Sequence, residues 1–263
     1  FKKVISLSPQ HVEAYNNVAA TLQKQGKLEE AIKAFKKAIS IKPDYAEAYY
    51  NMASTLEEKG ELEQAVISYR KSISLKPGYA DAYFNMASAL EKQGKLKDSL
   101  NAYSKTLELN PDYSDAWSNG ARVLENWNDL EHLEVWLQNA ANACKILPPR
   151  IQFFQAKLLT RNKQFKKASK VIETIEFSRL PDDLKKEFLK LEAQCFEALE
   201  EFDKAYISFS KMNALVKESS EYSRCDPDKY IQDAKDQLSK LNSRPIPNFL
   251  DYQTEIPDSD PVF

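Results

Sequence analysis

The sequence predicts an all-α solenoid of stacked helix pairs, and three observations predict it. Pro9, Pro43, Pro77 and Pro111 recur every 34 residues, a period that belongs to arrays rather than to a single globular core. Between Ala46 and Tyr79, the residues Tyr49, Met52, Ala53 and Leu56 repeat at helical spacing, and so do Ala65, Tyr69, Ser72 and Ile73. Three of only five glycines, Gly26, Gly60 and Gly94, fall between these two apolar sets at one register. A helix pair of this size cannot bury its apolar face alone, so neighbours must stack and produce a concave and a convex side.

Each position in the period has a local cause. The glycine register suits a left-handed residue closing the first helix of each pair, where glycine alone is unstrained. The fourth unit carries Asn128 there, the next-best residue for that conformation. Ala19, Ala53, Ala87 and Ala121 share a register at which a small side chain lets the paired helices approach, and Phe35, Tyr69 and Tyr103 fill the other side. Pro43, Pro77 and Pro111 end the second helix and open the next unit.

Phe1 and Ile5 stand 34 residues before Phe35 and Ile39, so residues 1–8 are expected to be the end of a truncated upstream repeat. Residues 9–111 hold three regular units, with helix pairs at 12–43, 46–77 and 80–111. Residues 112–147 read as a degenerate fourth. Its first helix keeps Trp117, Ala121 and Leu124 in register, whereas the second, about Leu130 to Ile146, loses the pattern and carries His132 and Trp136. Two further pairs follow over 148–219. Ala156, Leu159, Phe165, Ala168 and Ile172 mark one; Leu189, Ala193, Phe196, Ala205 and Phe209 mark the other, whose first helix starts near Asp182 after Pro181. Asp226-Pro227 reads as a helix start, and residues 226–242 are expected to cap the open end of the stack. Residues 243–263, with Pro245, Pro247, Pro257 and Pro261, are expected to be a linker toward a further domain.

Composition narrows the function. Lys+Arg 37 against Asp+Glu 39 leaves a formal charge of −2, too balanced for binding driven by phosphate neutralisation. No apolar run approaches the roughly 18 residues of a membrane span. Three widely spaced cysteines argue against a disulfide framework and for a reducing, cytoplasmic setting. The two histidines lie in different units, no Cys/His set has zinc spacing, and there is no Gly-rich phosphate loop. No catalytic, metal-binding or cofactor-binding residue is therefore expected in this segment, which is read as not itself an enzyme.

The in-phase small, aromatic, glycine and proline positions resemble the tetratricopeptide repeat family, closely over residues 12–110 and more weakly beyond. The resemblance implies a right-handed superhelical solenoid of antiparallel helix pairs. It also implies that the first helices line a concave groove for a protein or an extended peptide.

On that face Asn17, Asn51, Asn85 and Asn119 recur, although asparagine is not what a helix interior asks for. An amide offers both donor and acceptor, so the row could grip a peptide backbone without reading side chains. It resembles the asparagine ladder in the repeats of O-linked N-acetylglucosamine transferases. The other reading is that each asparagine bridges adjacent repeats. Glu13, Glu47, Asp81 and Asp115 lie four residues earlier on the same face. This acidic stripe would favour a Lys/Arg-bearing segment, or else is a solvated face with charge near helix N-termini. Tyr50 and Phe84, following Tyr49 and Tyr83 (read as buried), are candidate contact anchors at the groove edge, or packing residues. The carboxylate clamp known in some members uses a Lys and an Asn on one first helix; the equivalent positions here are Asn16 and Ala20, with no Lys, which argues against it.

The last residues, Pro257-Asp-Ser-Asp-Pro-Val-Phe263, with the stretch from Ser243 to Pro247, resemble the junction of tetratricopeptide repeats with a sulfotransferase domain. That implies a recruiting region of a larger sulfotransferase using 3'-phosphoadenosine 5'-phosphosulfate. No donor-binding residue can be assigned within these residues. The alternatives are a free-standing adaptor and the accessory array of a glycosyltransferase.

Overall fold

A computed structural model describes residues 10–218; the expected upstream repeat end (1–8), capping helix (226–242) and linker (243–263) lie outside the described residues. By contact the chain divides into Phe1–Phe209 and Ser210–Phe263. The described part of the second unit, residues 210–218, is helical.

Among the described residues there are twelve α-helices and no strands. The first eight are α1 (Val12–Lys24), α2 (Leu28–Ile41), α3 (Ala46–Glu58), α4 (Leu62–Leu75), α5 (Ala80–Lys92), α6 (Leu96–Leu109), α7 (Ser114–Asn126) and α8 (Leu130–Ala143). They are followed by α9 (Pro149–Arg161), α10 (Phe165–Thr174), α11 (Asp182–Ala198) and α12 (Phe202–Glu218). A short 3-10 turn, Phe177–Arg179, separates α10 from α11 and was not foreseen from the sequence. From α1 to α11 consecutive helices pack on each other, and first helices also touch first helices: α1 on α3, α3 on α5, α7 on α9 and α9 on α11. The result is a solenoid whose one face is a row of odd-numbered helices.

The small register is fully buried throughout. Ala19, Ala53, Ala87, Ala121, Ala156 and Ala193 are each 0% exposed, so backbones meet where a larger residue would hold them apart. Phe35, Tyr69 and Tyr103 fill the space opposite and are equally buried. Hydroxyls inside this core find carbonyls: Ser72 Oγ donates to the Ala46 carbonyl (2.8 Å) and Thr106 Oγ1 to that of Ala102 (3.0 Å), whereas the buried Gln93 amide has no protein partner among the described residues.

All six first helices end in the same way. A residue with positive φ follows each: Gly26 (71°), Gly60 (88°), Gly94 (74°), Asn128 (57°), Lys163 (56°) and Glu200 (63°). Its N–H bonds back three residues and the next N–H back five, as in Gly60 to Glu57 (2.9 Å) and Glu61 to Leu56 (2.8 Å). This paired closure of a helix C-terminus recurs at Glu200 to Glu197 (3.0 Å) and Glu201 to Phe196 (2.9 Å). Between regular units, the N–H of Tyr45, Tyr79 and Tyr113 bonds to the carbonyl of Lys42, Lys76 and Asn110. Each is a four-residue turn with proline second, the position its fixed φ suits.

The fourth unit departs from the pattern by a compensated exchange. Trp136 stands where the second helices of earlier units carry Ala34, Ser68 and Ala102, and Gly120 where the first helices carry Val18, Met52 and Met86. A Cβ on Gly120 would overlap the Trp136 ring. The indole N–H donates to the Trp117 carbonyl (2.9 Å), and the two tryptophan rings meet edge-on at 5.2 Å. A large side chain has moved from one helix to its neighbour, and the volume between them is kept.

Candidate functional site

The candidate residues lie on the first helices, at successive turns of one face. Asn51 Nδ2 donates to Asn16 Oδ1 (3.2 Å), and Asn85 Nδ2 donates to the Tyr50 hydroxyl (2.9 Å). Asn51 and Asn85 therefore each use one N–H to reach the preceding unit. A primary amide has a second N–H and a carbonyl besides. Asn17 is exposed, while the other three are half-buried.

Tyr50 and Phe84 are placed between units. Tyr50 lies 4.8 Å from Tyr79 and 6.0 Å from Tyr69, ring centre to ring centre; Phe84 lies 4.9 Å from Tyr113 and 5.7 Å from Tyr103. Tyr49 and Tyr83, read as buried from their helical spacing, are only half-buried. Tyr50 and Phe84 are half-buried too, because they pack against the tyrosines that open the next first helix. Removal from water pushes the Tyr79 phenol up to about 12, with Tyr50, Asp81 and Glu47 adding to the effect.

The acidic residues are exposed on the same face, and three have neighbours within the chain. Glu47 pairs with Lys76 (3.5 Å), and Asp81 accepts from the Tyr113 hydroxyl (3.0 Å). Glu13 lies 3.3 Å from His11 Nδ1. That nitrogen accepts from the Ala14 N–H (3.2 Å) to cap α1, so it has no proton to give Glu13 while it does so.

A second row on the first helices escaped the sequence analysis. Glu57, Glu91 and Glu125 recur at the 34-residue period, which was the available signal. Each carboxylate is held by a base from the next first helix. Lys92 reaches Glu57 (2.8 Å), and Arg122 takes Glu91 with two nitrogens (2.6 and 3.0 Å). Lys157 and Arg161 both reach Glu125 (2.9 and 3.0 Å). The Tyr69 and Tyr103 hydroxyls donate to Glu57 (3.0 Å) and Glu91 (3.2 Å) from the second helices. Burial first, and these carboxylates next, push both phenols well above their ordinary range. This network ties unit to unit along the same first helices as the asparagines. Such planar, two-point pairing of arginine and carboxylate fixes relative position as well as adding energy.

Among the described residues the two cysteines are quiet. Cys195 is fully buried, its thiol 3.4 Å from the Phe165 carbonyl, and burial raises its pKa as it does that of Cys144. Both are held away from the thiolate form that reacts. No helix of the described residues is long and apolar enough to cross a membrane.

Comparison with known proteins agrees with this architecture. Family profiles described as "TPR repeat" match residues 21–60 and 53–94, and profiles described as "Tetratricopeptide repeat" match residues 80–113 and 1–33. No curated protein is similar enough in sequence to count as a match. Among solved structures, PilF of Pseudomonas aeruginosa superposes over 81% of this chain and 95% of its own, with a TM-score of 0.64 at 19% identity. MamA covers 54% of this chain and 83% of its own, with a TM-score of 0.51 at 25% identity. YrrB, described as "a TPR protein with an unusual peptide-binding site", covers 76% and 97%, with a TM-score of 0.56 at 18% identity.

Proposed function

The chain is a tetratricopeptide repeat protein, and from that premise we propose that it is a scaffold holding an extended segment of another protein along the face of its first helices. The observation that carries this reading is the regular placement of Asn51 and Asn85. Each spends one amide N–H on the preceding unit, and a second N–H and a carbonyl remain at a fixed spacing for a ligand backbone. The peptide-binding site in the description of YrrB supports the reading by analogy of fold alone. Asn17 and Asn119 extend the row, and Tyr50 and Phe84 supply apolar surface beside it. Glu13, Glu47, Asp81 and Asp115 favour a ligand bearing Lys or Arg.

An array of extended nonapeptides, basic and neutral, tests both parts. The Asn51→Ala/Asn85→Ala variant should bind the best array peptide about tenfold more weakly while keeping its helical circular dichroism. An unchanged affinity would assign the amides to bridging alone. Equal binding of basic and neutral peptides would remove the charge preference.

A second reading is favoured by the Pro257–Phe263 stretch, outside the described residues. It makes this segment the recruiting region of a sulfotransferase. Tandem mass spectrometry of the native polypeptide would decide it. A Gly/Ser/Thr-rich loop with a basic residue following Phe263 supports the reading, and any other continuation removes it.

A further inference from the structure

The second helices carry their own periodic pattern, which is interrupted once. Lys37, Lys71 and Lys105 occupy one register, and the fourth unit replaces them with Asn139. Lys36 and Arg70 occupy another, and the third unit replaces them with Ser104. Both changes fall on the two walls of one groove, of about 600 Å³, between α6 and α8. One wall is a stripe at helical spacing, Leu100, Asn101 and Ser104; the other is Val135, Trp136 and Asn139. The floor is Leu124 and Trp127, from the end of α7. Trp127 is 40% exposed and Val135 58% exposed, two large apolar side chains that both line this groove.

The chemistry of the groove selects its occupant. Its charges are Lys97, placed over the Trp127 ring at 5.9 Å, and Asp129, which lies 2.8 Å from His132 Nδ1 and accepts the His132 N–H to cap α8. With the basic register lost from both walls, an uncharged ligand is the match. Aromatic enrichment with loss of charge is the composition of an interface centre. The amides of Asn101 and Asn139 face a ligand that needs donors and acceptors. A helix satisfies its own backbone and would leave them idle, whereas an extended segment would use both.

We propose that the groove between α6 and α8 is a second binding site, taking an extended, uncharged segment of a partner protein. An apolar side chain of that segment rests on Trp127 and Val135, and its backbone is held by Asn101 and Asn139. The walls of the site lie on second helices and it shares no residue with the asparagine row, so it stands or falls independently of the reading based on Asn51 and Asn85.

Panning a phage-displayed random heptapeptide library on the full chain tests the proposal. Selected peptides should carry an uncharged apolar centre and alter tryptophan emission. Their affinity should fall about tenfold or more in Val135→Lys and in Asn139→Lys, which restores the residue of the earlier units. Asn51→Ala/Asn85→Ala should leave it unchanged. Failure to enrich any peptide, or binding that survives both lysine substitutions, overturns the proposal. So does sedimentation showing a dimer that Val135→Lys dissolves, which would give the groove to a second copy of this chain. Val135 and Asn139 are both exposed, so neither substitution disturbs the core.

Discussion

Gly120 and Trp136 show how one residue can be understood only through another. Glycine inside a helix such as α7 costs about 1 kcal/mol relative to alanine. Here it is required, because the Trp136 ring occupies the space a Cβ would take. Gly120→Ala should therefore destabilise the protein by about 1–3 kcal/mol, the usual cost of overpacking. In a Trp136→Ala background the sign should reverse, since the ring is gone and alanine is the better helix former. Urea denaturation of the four variants measures this. An equal cost in both backgrounds would mean that the two side chains do not compete for the same space. The exchange was legible only in part. The sequence shows that the second helix of the fourth unit breaks pattern at Trp136, but not which residue makes room for it.

At the scale of the element, the turn that closes each first helix joins sequence to geometry most directly. Three glycines at one register announce it, and Asn128 can be read by the same logic. Lys163 and Glu200 adopt the same conformation, yet neither side chain favours it, and the spacing slips to 35 and then 37 residues (163−128 and 200−163). What holds them is the pair of backbone hydrogen bonds and the packed helices on either side. An L-residue in this conformation costs roughly 1 kcal/mol. Lys163→Gly and Glu200→Gly should thus each stabilise the chain by up to about 1 kcal/mol, whereas Gly60→Ala should destabilise it by about 1–2 kcal/mol. Thermal melts of the three variants check the signs, and a loss of stability in both glycine variants would mean that this backbone is not strained. The candidate site was legible to a similar degree. The asparagine and acidic registers stand out because the period repeats them. Their partners do not, because Asn51 meets Asn16 and Arg122 meets Glu91 only after the stack has formed.

At the scale of the whole molecule, a solenoid is stable through the interfaces between its units, and here those interfaces are rich in tyrosine. Tyr45, Tyr50, Tyr69, Tyr79, Tyr103 and Tyr113 all have phenols raised first by burial, and all lie between residues 45 and 113. A group that holds its proton more tightly when folded contributes stability below its unfolded pKa and loses it as pH climbs through the folded value. For Tyr79 that interval runs from 10 to about 12. Ionising Tyr69 or Tyr103 would also place a phenolate beside Glu57 or Glu91, each already the acceptor of its hydroxyl. The urea midpoint should accordingly be flat up to about pH 9 and fall steeply above about 10. Tyrosinate absorbance should then rise together with the loss of helical ellipticity. Because neighbouring units support one another, loss of the tyrosine-lined interfaces should release the N-terminal units first. Partial proteolysis with an alkaline protease should therefore cut before residue 114 earlier than within α9 or α11. If the tyrosines titrate near pH 10 with the ellipticity intact, their hydroxyls are not what couples these repeats, and the ion pairs of Glu57, Glu91 and Glu125 and the asparagine bridges are left to do so.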